Sequence, residues 1–238
     1  MSSEAEGVRG MSWPRTMQDA RGALFDLDGV LVDTAVLHHA AWQELATELG
    51  FLLTDEAAER TKGVSRLAAL DIVLEAGGIT ADDDARLRWA TRKNERYKEM
   101  LGDLSPRDLL PGALEFLHAL GDRGIRRALG SASANAPAIL QHLGIAGCFE
   151  AVVDGTVVTD AKPAPAVFLK GAELLGLPHA HCVVYEDAVA GVQAAHAAGM
   201  FCVGIGSPRN LPEADVVVPS LAFADISIFA TPTRTPSN

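Results

Sequence analysis

The chain has 238 residues, 48% of them apolar and 21% charged, enough to bury the core of one large domain or two small ones. Lys and Arg number 20 against 31 Asp and Glu, a formal net charge of −11, which argues against general nucleic-acid binding, since that depends on neutralising phosphates. Local lysines and arginines can still gather an anionic small molecule.

The three cysteines, Cys148, Cys182 and Cys202, form no CxxC pair, and two lie in apolar runs. That pattern predicts buried thiols in a reducing compartment, with neither a disulfide framework nor a zinc site. Residues 1–20 lack the apolar stretch of a signal peptide, and no run approaches the roughly eighteen apolar residues of a membrane span. The expected location is the cytoplasm, and the expected state a monomer, with no membrane and no nucleic acid among its partners.

Residues 1–18, rich in Ser, Glu, Gly and Arg, are expected to form a loose leader. Gly22-Ala23-Leu24 then leads into Phe25-Asp26-Leu27-Asp28-Gly29-Val30. This predicts a buried strand that carries two aspartates to its carboxyl end, where open α/β sheets bind ligands. Side chains two residues apart on an extended segment share a face, so Asp26 and Asp28 should meet one site. Neighbouring carboxylates resist joint ionisation, and one titrates high. One can stay a bare nucleophile while the other carries a proton, which suits phosphoryl transfer. For the D-x-D pair alone, a polar turn closing a strand is the alternative.

From Ala35 the period changes: Leu37, Ala41, Leu45 and Leu49 recur every fourth residue before Gly50, predicting an amphipathic helix with Thr34 at its N-cap. Further helices are predicted over 54–61, 65–75 and 81–100, with Gly77-Gly78 as a break. No strand pattern appears between Ala35 and about residue 104. An all-helical block inside a β/α chain predicts a cap inserted over 35–105, the core being built from 19–34 and 106–228. After a linker at 102–111, helices over 112–120, 134–143, 164–175 and 188–198 alternate with strands at 125–130, 151–153, 182–185, 201–205 and 214–218. That alternation predicts parallel βαβ units. Residues 229–238 are expected to be a disordered tail.

Ser131 closes the strand 125–130 and should meet Asp26 at the same sheet edge. There a hydroxyl and the following backbone N–H groups can hold phosphate oxygens; a turn or N-cap serine is the alternative. Lys162 precedes Pro163, which would suit the first turn of a helix. Its ammonium could offset the charge on nucleophile and phosphate, each ion pair at ~4 Å and a dielectric of ~20 being worth on the order of 4 kcal/mol; otherwise it is a solvated lysine. Glu186 and Asp187 follow the apolar run 182–185, with Gly191 nearby. With Asp26 they make an oxygen-rich set suited to Mg²⁺, or else acids that complement a helix dipole. No GxxxxGK[ST] run occurs, and Gly204-Ile205-Gly206 lacks the spacing of a dinucleotide fingerprint.

In chain order, Asp26-Leu27-Asp28-Gly29-Val30-Leu31-Val32-Asp33-Thr34, Ser131, Lys162-Pro163-x-Pro165 and Glu186-Asp187-Ala188-x-x-Gly191 resemble the four motifs of the haloacid dehalogenase superfamily of phosphotransferases. The cap run Lys62-Gly63-Val64-Ser65-Arg66, with Arg92-Lys93-Asn94-x-x-Tyr97, resembles that of the β-phosphoglucomutase family. So do Leu110-Pro111-Gly112, Leu129-Gly130-Ser131-Ala132-Ser133, Asn135 and Val152-Val153-Asp154-Gly155. Without the resemblance, the cap run is a helix stop at Gly63, an N-cap at Ser65 and solvated charges.

The resemblance, spanning about residues 21–221, implies an α/β fold: a Rossmann-like haloacid dehalogenase core with a parallel sheet plus an inserted all-helical cap domain. It implies interconversion of β-D-glucose 1-phosphate and β-D-glucose 6-phosphate through β-glucose 1,6-bisphosphate, with Mg²⁺ as cofactor. By position, Asp26 would be the phosphorylated nucleophile. Asp28 would be the general acid/base, its backbone carbonyl also binding Mg²⁺ with Glu186 and Asp187. Ser131, Ala132 and Lys162 would hold the transferring phosphate, and Arg66 the distal one. Lys62, Gly63, Ser65, Lys93 and Asn135 would lie near the sugar or its phosphate, and Thr34 and His38 would work at the hinge. The pattern departs at Ala69, where the family carries a serine; the change could loosen sugar specificity. A sugar-phosphate phosphatase of the same architecture is the alternative, distinguished only by the cap run. A non-catalytic sugar-phosphate sensor would need no nucleophile.

Overall fold

The computed structural model describes residues 19–61 and 64–229. The expected leader, Lys62, Gly63 and residues 230–238 lie outside the described residues. Six strands, β1 (Gly22–Phe25), β2 (Arg126–Gly130), β3 (Ala151–Val153), β4 (Cys182–Glu186), β5 (Phe201–Ile205) and β6 (Val216–Val218), pair in parallel in the order β3-β2-β1-β4-β5-β6. A central strand covered on both faces needs a continuous apolar run rather than an alternating one, and every residue of β1 is buried.

The period of two sorts side chains between the faces. Leu24, Ala128, Val184 and Cys202 pack on one side with α7 (Ala166–Leu174) and α8 (Val189–Ala197). Phe25, Leu129, Tyr185 and Val203 pack on the other with α5 (Ala113–Asp122) and α6 (Ala136–His142). Phe25 stacks on Tyr185 at 4.8 Å between ring centroids, and Phe116 meets both edge-on. All three cysteines are free thiols.

Between β1 and α5 the described residues hold four α-helices and no strand: α1 (Ala35–Glu48), α2 (Asp55–Arg60), α3 (Arg66–Ala76) and α4 (Asp83–Leu101). Thr54, Ser65 and Asp82 cap α2, α3 and α4 by accepting from the N–H three residues on. Gly50 follows α1 at φ +92°, a left-handed conformation that glycine adopts without cost. This cap has its own core, with Trp42, Leu45, Leu70, Val73 and Ala90 in contact. The helix α4 belongs to both units: Ala90 is in the cap core, whereas Tyr97 and Leu101 are in the sheet's core.

Four local expectations are corrected. Thr34 stands at the N-cap of α1 but makes no capping bond, because its hydroxyl instead donates to Asp28 and accepts from the Tyr97 hydroxyl. Pro163 lies outside α7, and the Lys162–Pro163 bond is cis. Ala164 precedes Pro165 and is biased away from helical backbone, so the helix starts only at Ala166. Glu186 is the last residue of β4 rather than the first after it. Phe229, expected to open the tail, is 2% exposed and packs into the sheet's core.

Candidate active site

Strand order reverses at β1, with β2 on one side and β4 on the other, so the loops after these three strands open onto one crevice. A cleft of about 1510 Å³ lies there, between the sheet edge and the cap. Asp26, one residue beyond β1, is tied down by its N–H to the Tyr185 carbonyl at 2.9 Å. The buried Lys162 ammonium donates to Asp26 at 2.5 Å, Glu186 at 2.6 Å and the Gly130 carbonyl at 3.0 Å. All three of its donors are thereby used. Ser131, at the end of β2, accepts from the Ser133 N–H at 3.1 Å.

Two glycines let the carboxylates crowd. A Cβ at Gly29 (φ +74°) would stand 2.0 Å from Asp187 Oδ2, and one at Gly191 would stand 1.7 Å from Glu186 Oε1. One oxygen each from Asp26, Glu186 and Asp187 lies within 4.8 Å of the others. Burial, then the charges of Asp26 and Glu186, pushes Asp187 up to about 8. Burial also raises Glu186. Burial lowers Lys162, but Asp26 and Glu186 outweigh it and hold the ammonium above the usual lysine range. One ammonium among three carboxylates leaves excess negative charge, and the hard oxygen donors match Mg²⁺. The Asp28 side chain is not part of this set. Its carboxylate accepts from the Thr34 hydroxyl, and burial, then Asp26, pushes it up to about 7.

On the cap side Arg66 and Lys93 bring positive charge to the cleft, which Asp55 and Glu59 of α2 also line. Lys93 on α4 is 4% exposed, its Nζ 2.7 Å from His38 Nδ1 and over the rings of Trp42 (4.6 Å) and Tyr97 (4.8 Å). Burial, then the nearby Lys93 and Arg66 charges, drops His38 to about 3, so its ring is neutral. An ammonium offers only donors, so Nδ1 accepts. Burial, then Arg66, lowers Lys93 to about 7. Arg66, in the first turn of α3, lines the same cleft with Ser65, Ala69 and Ala132.

Of the expected site residues, Asp26, Asp28, Ser131, Lys162, Glu186 and Asp187 meet at the sheet edge. His38, Ser65, Arg66 and Lys93 form the cap wall, and Asn135 lines the cleft from the core. Thr34 is buried beside Asp28, and Lys62 and Gly63 lie outside the described residues. Tyr97 and Asn94 were not expected in the site. The Tyr97 hydroxyl donates to Thr34 at 3.1 Å, and its ring stacks on His38 with centroids 4.0 Å apart. Asn94 bonds Asn135. The signal for Tyr97 was its place four residues after Lys93, which puts both on one helix face.

A family model described as haloacid dehalogenase-like hydrolase matches residues 20–199. The chain is 39% identical over 200 residues to β-phosphoglucomutase of Bacillus subtilis (strain 168), covering 83% of this chain and 88% of that one. It is 35% identical over 184 residues to fructose-1-phosphate phosphatase YqaB of Escherichia coli (strain K12), covering 77% of this chain and 95% of that one. The crystal structure of β-phosphoglucomutase from Clostridium difficile superposes with a TM-score of 0.84 at 36% identity, over 87% of this chain and 94% of that one.

Proposed function

The chain belongs to the haloacid dehalogenase-like hydrolase family, and from that premise we propose that it is a Mg²⁺-dependent β-phosphoglucomutase. It interconverts β-D-glucose 1-phosphate and β-D-glucose 6-phosphate through β-glucose 1,6-bisphosphate, with an aspartyl-phosphate on Asp26. The observation that carries this reading is a cation at each end of one cleft: Lys162 on the core, where Mg²⁺ would offset the surplus carboxylates and complete a pole for phosphate, and Arg66 with Lys93 on the cap. A bisphosphate that must present either phosphate to Asp26 needs both poles, whereas a monophosphate needs one. Arginine's planar fork suits the phosphate that is held but not transferred.

The Asp26 carboxylate attacks phosphorus, and the bond from phosphorus to the sugar oxygen breaks. Asp28, protonated below about pH 7, gives its proton to the departing oxygen, and in the second half it takes one from the attacking sugar hydroxyl. Phosphorylation neutralises the Asp26 oxygen that Lys162 holds and puts charge on the phosphoryl oxygens, so the ammonium can follow that charge. Mg²⁺ held by Asp26, Glu186 and Asp187 would neutralise charge on the phosphoryl group when bound. Closure of the cap would keep water from the aspartyl-phosphate.

The similarity to the Escherichia coli fructose-1-phosphate phosphatase favours a second reading, a sugar-phosphate phosphatase. One assay separates the two. With β-glucose 1-phosphate, Mg²⁺ and trace 1,6-bisphosphate, glucose 6-phosphate should form well ahead of free phosphate. Dominant phosphate release would establish the phosphatase, and no turnover of any sugar phosphate would point to a sensor.

A further inference from the structure

A single helix carries two polar links from cap to core. On α4, Tyr97 donates to Thr34 beside Asp28 at 3.1 Å. Asn94, three residues earlier on the same face, accepts from Asn135 Nδ2 at 2.9 Å. Asn135 stands at the start of α6 and is 7% exposed; its N–H donates to Ser133 Oγ at 3.2 Å, and the Ser133 N–H donates to Ser131 Oγ at 3.1 Å. The Asn94 contact therefore runs, through Asn135 and Ser133, to the Ser131 hydroxyl, which lines the cleft with Asp26. A hydrogen bond weakens steeply once donor and acceptor move ~1 Å apart, so this link reports the seating of the cap directly. An amide pair is also uncharged at any working pH. The link therefore adds no charge to a cleft whose two poles must stay complementary to phosphate.

We propose that Asn94 is a positioning residue for the transfer step: acting through Asn135, it seats the cap against the loop that carries Ser131. With Tyr97 one turn away, it fixes the roll of α4, so that the cleft closes in the register that excludes water. The inference rests on the mutase reading above, and its signature is the partition between transfer to sugar and loss to water. A merely structural contact would lower both outcomes together.

The test is Asn94→Ala, made in the wild-type protein and again in an Asn135→Ala background, reading free phosphate released per isomer formed. The ratio should rise about fivefold in the first and change less than about twofold in the second, the scale of one net hydrogen bond acting through one partner. An unchanged ratio, or an equal rise in both backgrounds, overturns the proposal. If the wild-type enzyme releases phosphate without isomerising, the mutase reading falls, and amide hydrogen exchange in the full, ligand-free chain decides the link alone. Faster exchange over residues 133–136 in Asn94→Ala, only while Asn135 is intact, supports it; unaltered exchange overturns it.

Discussion

The two ends of the cleft hold charge in opposite ways. At the sheet edge a cation is fully enclosed, Lys162 with a side chain 4% exposed between Asp26 and Glu186, and the carboxylates outnumber it. On the cap, Lys93 rests on a neutral imidazole and two aromatic rings, and among the described residues it forms no ion pair with a carboxylate. Electrostatically the first end lacks a cation, and at the second Lys93 lacks an anionic partner among the described residues. A metal ion at one and a phosphate at the other would complete both, and the sugar would lie between them. The contrast also sets what each end tolerates: a buried charge cluster tolerates no loss of a partner, whereas an ammonium over rings can accept one.

The contrast breaks most sharply at Asp26. Asp26→Ala should cut isomerisation and phosphate release together by about 10⁴-fold or more, because the nucleophile and a metal ligand leave at once. Normal isomerisation in that variant would remove the basis of the mechanism. Next in size is Gly191→Ala, which puts a methyl within 1.7 Å of the present Glu186 Oε1 and must displace that carboxylate. The affinity for Mg²⁺ should fall by about 10–100-fold, as when a metal site's supporting contacts are lost. The Mg²⁺ dependence of the rate measures this, and an unchanged dependence would show that Glu186 is not held for the metal.

The core end was legible in the sequence because a central parallel strand must be an unbroken apolar run, and its polar residues then fall at the ligand-binding edge. Asp26, Ser131 and Glu186 each close or follow such a strand, whereas Lys162 lies in the loop before α7 and was marked by its Lys-Pro-x-Pro context. The cap end was less legible, because its contacts depend on how α4 docks. Thr34 shows the limit well: capping preference assigned its hydroxyl to α1, and a carboxylate six residues earlier took it instead. Tyr97 and Asn94 lie on a helix whose spacing shows that they share a face but not what that face meets. Pro163 was misplaced because a second proline two residues on delayed the helix.

The carboxylate excess should also appear in stability. Asp28 and Asp187 are raised from 3.8 to about 7 and about 8. Between roughly pH 4 and those values the folded chain keeps protons that the unfolded chain has lost, so stability falls as pH rises across that window. Without metal, the Tm should drop by several degrees from pH 5 to pH 8. Asp187→Asn should flatten the slope, and added Mg²⁺ should raise the Tm more at pH 8 than at pH 5. A Tm that rises with pH would contradict the crowding inferred for this end.

The cap end should behave in the opposite sense, and more weakly. Lys93 is lowered from 10.5 to about 7, so its burial costs stability fully below pH 7, and progressively less as pH climbs from 7 toward the unfolded value. Binding a sugar phosphate at pH 8 should recharge it, with proton uptake visible by calorimetry in buffers of different ionisation enthalpy. Lys93→Gln should abolish that uptake and weaken glucose 6-phosphate binding by roughly threefold to tenfold, the scale of one hydrogen bond to a charged group. It should also leave the Mg²⁺ dependence of the rate in place, because Lys93 touches none of the three carboxylates at the sheet edge. If the uptake persisted in the variant, the proton would be entering at the sheet edge, and the two ends would not be electrostatically independent.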